Sequence, residues 1–128
     1  MHTLLYLPSE TITGQRLHYA VENSLPKKNI ETYHTILELI ERFAHPTKNN
    51  TVAVLLAETK QHLNDILVIR DILSDVRTIL VIPDIEDDTI ANAHKLRPRY
   101  IRTVRSDFTD ISAVLSKMEQ NLKQTQHP

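Results

Sequence analysis

The sequence predicts an α/β fold: a three-layer, doubly wound, five-stranded parallel sheet in the order 2-1-3-4-5, with helices on both faces. Three observations predict it. Unbroken apolar runs recur along the chain, clearest in Thr51-Val52-Ala53-Val54-Leu55-Leu56-Ala57 and Thr78 to Ile82, and such runs belong to strands buried on both faces. Between them, apolar residues recur every three or four positions, the period of an amphipathic helix. The two patterns alternate strictly, which calls for right-handed crossovers between parallel strands.

The elements follow in order. Leu4-Leu5-Tyr6-Leu7 is a short apolar run and the first strand. The polar stretch Ser9 to Thr13 offers caps for a helix carrying Leu17, Ala20, Val21 and Leu25, and Pro26-Lys27-Lys28-Asn29 ends that helix. Ile30 to Thr35 mixes β-branched, aromatic and polar residues, as a half-exposed strand does. Ile36, Leu37, Ile40, Phe43 and Ala44 mark the second helix, and Thr47 to Asn50 a turn. After the Thr51 strand, Leu63, Ile66, Leu67, Ile69 and Leu73 mark a third helix. Pro83 closes the Thr78 strand. Asp87 or Asp88 is placed to cap a fourth helix bearing Ile90, Ala91, Ala93 and Leu96, which Arg97-Pro98-Arg99 ends. Tyr100 to Val104 is the fifth strand. Asp107 or Thr109 is placed to cap a last helix with the stripe Ile111, Val114, Leu115, Met118 and Leu122. In the order 2-1-3-4-5, the three most apolar strands lie centrally and the mixed Ile30 strand at an edge. Residues 1–123 read as one domain, with 124–128 a polar tail.

Composition excludes several functions. Gly14 is the only glycine; phosphate-cradling loops need two or three, because backbone must approach phosphate with no Cβ in the way. Without cysteine there is no thiolate nucleophile, disulfide or cysteine-ligated metal. A net charge of -1 lacks the basic excess of a polyanion binder, so no nucleic acid is expected. No apolar run approaches bilayer length, so no membrane is expected either, and the chain reads as cytoplasmic. Thr11-Ile12-Thr13-Gly14 has a partial likeness to a flavin phosphate loop. With no tryptophan and few aromatics to sandwich the ring, no cofactor is expected.

Open α/β sheets bind ligands beyond the carboxyl ends of their strands. Those loops carry Pro8-Ser9-Glu10, Glu58-Thr59-Lys60, Pro83-Asp84 and Arg105-Ser106-Asp107. The chain resembles, over essentially its whole length, the receiver domain of two-component response regulators, which has a flavodoxin-like fold. The likeness is strongest in the last third: Val81-Ile82, a helix with Ile90-Ala91-Asn92-Ala93, then Tyr100-Ile101 and Phe108-Thr109. The resemblance implies a phosphoryl-accepting aspartate ending strand 3, an acidic pair after strand 1 that helps hold Mg2+, a Ser/Thr ending strand 4, and a lysine ending strand 5.

This sequence departs from that pattern at each position. Ser9-Glu10 supplies one carboxylate for two, Ala57 or Glu58 stands where the acceptor belongs, and Ile82-Pro83 replaces the hydroxyl residue. Arg105 or Ser106 stands near the missing lysine, with Asp84 beside them in the loop set. Acyl-phosphate formation needs an in-line carboxylate, a metal and a cation on the phosphoryl oxygens, and glutamate reaches one methylene too far. The reading is a pseudo-receiver with no catalytic residue and no metal site of its own. The permanent charge of Glu58 could imitate the charged state. The alternatives are a Mg2+-dependent receiver in which Glu10 and Asp84 hold the metal and Glu58 or Thr59 accepts, and a flavodoxin-like small-ligand binder.

Charge is also segregated. His94 to Arg105 holds Lys95, Arg97, Arg99, Arg102 and Arg105 without an acid, while Asp84 to Asp88 holds four acids in five residues. The family resemblance makes the face of helix 4, strand 5 and helix 5 a docking surface. His94, Lys95, Arg97, Arg99, Tyr100 and Arg102 would lie on it, for a protein partner or a second copy. The seven histidines are at least 11 residues apart and show no ligand spacing.

Overall fold

The computed structural model describes residues 1–46 and 50–125, with side chains described as far as Asn121. Parallel strands β1 (His2–Tyr6), β2 (Ile30–Tyr33), β3 (Thr51–Leu56), β4 (Arg77–Ile82) and β5 (Tyr100–Thr103) form one sheet in the order 2-1-3-4-5. The expected fold is the observed one. All six residues of β3 are buried, whereas β2 and β5, at the edges, are only half-buried throughout.

Side chains of successive strand residues point to opposite faces, and the sheet accordingly separates two cores. Leu5, Val54, Leu56 and Val81 pack with Leu17 and Val21 of α1 (Ile12–Ser24), and with Phe108 and Ile111 at the start of α6 (Thr109–Thr125). Tyr6, Leu55, Ala57 and Leu80 pack on the other face. There they meet Leu39 of α2 (Ile36–Phe43), Leu63 and Ile66 of α3 (Lys60–Val68), Leu73 of α4 (Arg70–Leu73) and Ala93 of α5 (Asp87–Lys95).

The details differ from the periodicity reading in several places. The third helix is broken into α3 and the single turn α4 at Ile69, whose ψ of 18° leaves the helical range. No proline or glycine causes the break. Ile66, Ile69 and Leu73 are all buried, and packing overrides the local preference for one continuous helix. On α2 the buried residue is Leu39, while Leu37 and Ile40 are exposed. On α5, Thr89 is buried and Ala91 is exposed. Neither Asp87 nor Asp88 is the cap of α5: the N-cap is Glu86, without a side-chain capping bond. For α6 neither Asp107 nor Thr109 holds the cap position, which falls to Phe108; the Asp107 Oδ1 accepts from the Thr109 amide at 3.1 Å just before it. The α6 helix runs to Thr125. The Leu122 side chain and residues 126–128 lie outside the described residues, as does most of the turn expected at Thr47 to Asn50. No helix among the described residues is long and apolar enough to cross a membrane.

Gly14 is part of a helix start and not of a phosphate loop. Its amide donates to the Thr11 hydroxyl at 3.0 Å, and an added Cβ would stand 3.3 Å from Ser9 O and Thr11 Oγ1. The close backbone approach that glycine permits serves the N-cap of α1.

Candidate functional site

The sheet's strand order reverses between β1 and β3, so the loops leaving those strands diverge to opposite faces and open a crevice. Ala57 is the last residue tied to the ladder. Its amide donates to Val81 O at 2.8 Å, and its methyl group is fully buried. Glu58 follows, half-buried, and crosses the crevice: Oε1 accepts from the Thr11 hydroxyl at 2.6 Å. Thr11 has one proton and gives it to Glu58, while its lone pair receives the Gly14 amide. A carboxylate is thereby held at the N-terminus of a 13-residue helix, where the dipole favours negative charge. The Glu58 amide donates to Nδ1 of His62 at 3.2 Å, which ties the same residue to α3.

The other residues expected at the site are divided between separate clefts. Ser9 and Glu10 are exposed and line a hollow of ≈ 360 Å³ with Gln15, His18 and His34. Asp84 lines a cleft of ≈ 350 Å³ with Pro83, Ile85, Glu86, Thr103 and Arg105. Glu10 and Asp84 therefore do not share a cleft, which counts against their joint role as a Mg2+ pair. Among the described residues, no three His, Asp or Glu side chains form a metal-holding group. Ile82 is buried and its carbonyl accepts from the Val104 amide at 3.0 Å. The Ser106 hydroxyl is used locally, accepting from the Phe108 amide at 3.1 Å, and its carbonyl accepts from Arg16 at 2.9 Å. Phe108, at φ 64°, is wholly buried beneath the Arg16 guanidinium, 5.3 Å from its ring centroid. The Asp84 carboxyl lies below its ordinary pKa because of the Thr89 hydroxyl, the Glu86 amide and the nearby Lys60 charge. Asp107 lies low for a similar reason, through the Thr109 hydroxyl and amide and the charge of Arg16.

Three solved structures are similar to the chain along nearly all of it. A response regulator from Thermotoga maritima matches at TM-score 0.62 and 17% identity, over 94% of this chain and 98% of that one. The phosphorylated cyanobacterial phytochrome response regulator matches at TM-score 0.65 and 12% identity, over 99% and 98%. A Burkholderia pseudomallei response regulator, described with a phosphorylated aspartic acid, a calcium ion and citrate, matches at TM-score 0.62 and 14% identity, over 99% and 75%. The chain has the fold of a response regulator receiver domain. No protein-family model and no curated protein matches its sequence.

On this receiver fold, the fourth helix of the sequence reading is α5 and the last is α6. His94, Lys95, Arg97 and Arg99 are exposed at the end of α5 and the approach to β5. Arg97 adopts φ 50° just beyond the Leu96 C-cap, and its amide donates to His94 O at 3.0 Å. Tyr100 and Arg102 are half-buried and engaged with one another: the guanidinium carbon lies 4.0 Å from the Tyr100 ring centroid, and Nη2 donates to the phenol oxygen. Arg102 Nε donates to Asp110 at 3.1 Å. Among the described residues, the ion pairs of the acidic loop are made by Lys60 and not by this basic strip. Lys60 reaches Glu86 and also Asp88 at 3.2 Å, and these contacts, Glu86 first, push its pKa up to about 12.

Sequence reasoning missed the two helix-start boxes that flank the crevice. At α2 the signal was present, since Thr35-Ile36-Leu37-Glu38 has the threonine and glutamate spacing of a capping box. At α3 it was hidden, because His62 takes the position where glutamate or glutamine is usual.

Proposed function

We propose that the chain is an atypical receiver-like signalling module that acts through protein–protein contact or self-association and not through phosphoryl transfer. One observation carries the reading. Where β3 leaves the ladder the side chain is the buried methyl of Ala57, and the next carboxylate, Glu58, has its Oε1 turned to the Thr11 hydroxyl. An acceptor must present its oxygen in line with the donor, beside a metal and a cation. Here Glu10, Asp84 and Arg105 are distributed over two clefts. The module is non-catalytic, and the surface through which it acts is α5–β5–α6, where Lys95, Arg97 and Arg99 stand exposed.

Incubation with acetyl phosphate and Mg2+ followed by intact-mass measurement tests this. The expected result is an unchanged mass. A single hydroxylamine-labile phosphoryl adduct would establish the phospho-accepting alternative. Small-ligand binding is favoured by one feature, the Asp84–Arg105 cleft, whose ≈ 350 Å³ falls in the usual range for ligand pockets. A thermal shift with nucleotides or flavins would support that reading.

A further inference from the structure

Helices α2 and α3 lie on the same face of the sheet and begin with the same hydrogen-bonded box, closed by different chemistry. At α2, Thr35 Oγ1 accepts from the Glu38 amide at 3.1 Å, and Glu38 Oε1 reaches back to accept from the His34 amide at 3.1 Å. At α3, Thr59 Oγ1 accepts from the His62 amide at 3.1 Å, and His62 Nδ1 reaches back to accept from the Glu58 amide at 3.2 Å. The third helical residue closes both boxes, with a carboxylate in one and an imidazole in the other. A carboxylate carries only acceptor atoms. The imidazole accepts through Nδ1 only while neutral and protonated on Nε2.

We propose that His62 is a proton-operated latch on Glu58. The neutral ring holds the Glu58 amide, and the protonated ring releases it and loosens the segment joining β3 to α3. A proton added at Nδ1 turns that atom into a donor facing another donor. The new positive charge also stands in the first turn of α3, where the helix dipole disfavours it. Three titratable groups share the ring's cleft: Tyr6 from β1, His34 from the β2–α2 loop and Asp65 from α3 itself. Asp65 already accepts from Gln61 at 2.9 Å. Together with the Glu58 carboxylate it offers the charged ring an alternative partner. His34 is bonded differently. Its Nδ1 lies 3.0 Å from the Leu7 carbonyl, which can only accept, so that bond survives protonation. Because Glu58 also receives the Thr11 hydroxyl, release at His62 reaches the start of α1 across the crevice.

The latch follows from ring geometry and stands apart from the function proposed above. The test is a titration of the full chain by NMR between about pH 5 and 8, the range in which histidines ionise. The His62 ring nitrogens and the Glu58 amide are followed in the native protein and in His62→Gln, whose amide oxygen keeps an acceptor that cannot titrate. The expected result is one shared midpoint for ring and Glu58 amide, with the Glu58 amide flat in His62→Gln. A Glu58 amide that stays still while the His62 ring titrates overturns the latch, as does one that moves equally in His62→Gln. Acetyl phosphate labelling fails or succeeds independently, so loss of the functional reading and loss of the latch are told apart.

Discussion

The Thr11 hydroxyl and the Glu58 carboxylate meet at 2.6 Å across 47 residues of sequence, joining the loop after β1 to the loop after β3. One threonine caps α1 and holds the carboxylate that follows β3. Thr11→Val removes both bonds and is expected to destabilise the protein by about 1 kcal/mol, while Thr11→Ser stays within a few tenths. Urea denaturation of the two variants checks this. Glu58→Gln keeps an acceptor for Thr11 but no charge, and unchanged partner affinity in that variant would end the idea that Glu58 imitates a charged state.

If the proposed function holds, placing an aspartate at the end of β3 is not expected to create phosphoryl chemistry. Ala57 is fully buried at the end of the ladder, so Ala57→Asp introduces a carboxylate into the α3–α5 core. A loss of about 2 kcal/mol or more is expected in thermal or urea unfolding. Acetyl phosphate labelling should remain absent. Labelling of this variant would show that the crevice keeps a working metal and cation.

Arg97 caps α5 in a left-handed conformation at φ 50°, in a chain whose single glycine is used elsewhere. Arg97→Gly is expected to stabilise the fold by about 1 kcal/mol, since glycine carries no Cβ penalty there. If Arg97 belongs to the docking surface, the same variant weakens partner binding. Calorimetry and a binding assay on one protein sample read the two effects separately.

Charge reversal at Lys95 and Arg99 tests that surface directly. Both side chains are exposed, and the bond from Arg99 to Thr78 O, at 2.7 Å, is made by the backbone. Stability should change by less than about 0.5 kcal/mol. Self-association or partner binding should fall, and the native interaction should weaken as salt is raised. Sedimentation velocity at two salt concentrations measures it, and reversal variants that associate normally would move the docking surface elsewhere.

Glu31 on edge strand β2 gives the fold an acid-sensitive contact. Burial pushes its carboxyl up, but hydrogen bonds from His2, Tyr33 and Arg42, with the Arg42 charge, hold it below its ordinary value. A carboxyl lowered by folding stabilises above its unfolded pKa and loses that stabilisation as pH falls through the folded value. The stability difference between native protein and Glu31→Gln should therefore shrink as pH falls below about 4.3. A difference that grows on acidification below that pH would reverse the assigned sign.

Much of the architecture was legible because it depends on local pattern. The runs at Thr51 and Thr78 announced central strands, since a strand covered on both faces reads as a near-continuous apolar run. The polar residues of Ile30–Tyr33 likewise announced an edge. Where the pattern failed, packing had decided: Ile69 breaks a helix without glycine or proline, and Leu39, not Leu37 or Ile40, enters the core.

The candidate site was legible in its parts and not in its connections. That Ala57 and Glu58 lie where β3 leaves the sheet could be read from the end of one apolar run. That Thr11 holds Glu58, that Lys60 and not the basic strip binds the acidic loop, and that Ser106 serves the Phe108 turn could not. The sequence by itself determined the alternation of elements, which strands are buried on both faces and the absence of phosphate-binding glycines, because periodicity and residue type act over a few neighbours. Only the tertiary structure decided which hydroxyl meets which carboxylate. Those pairs lie on loops brought together by parallel crossovers, and a hydrogen bond of 2.6 Å depends on positions that no local preference encodes.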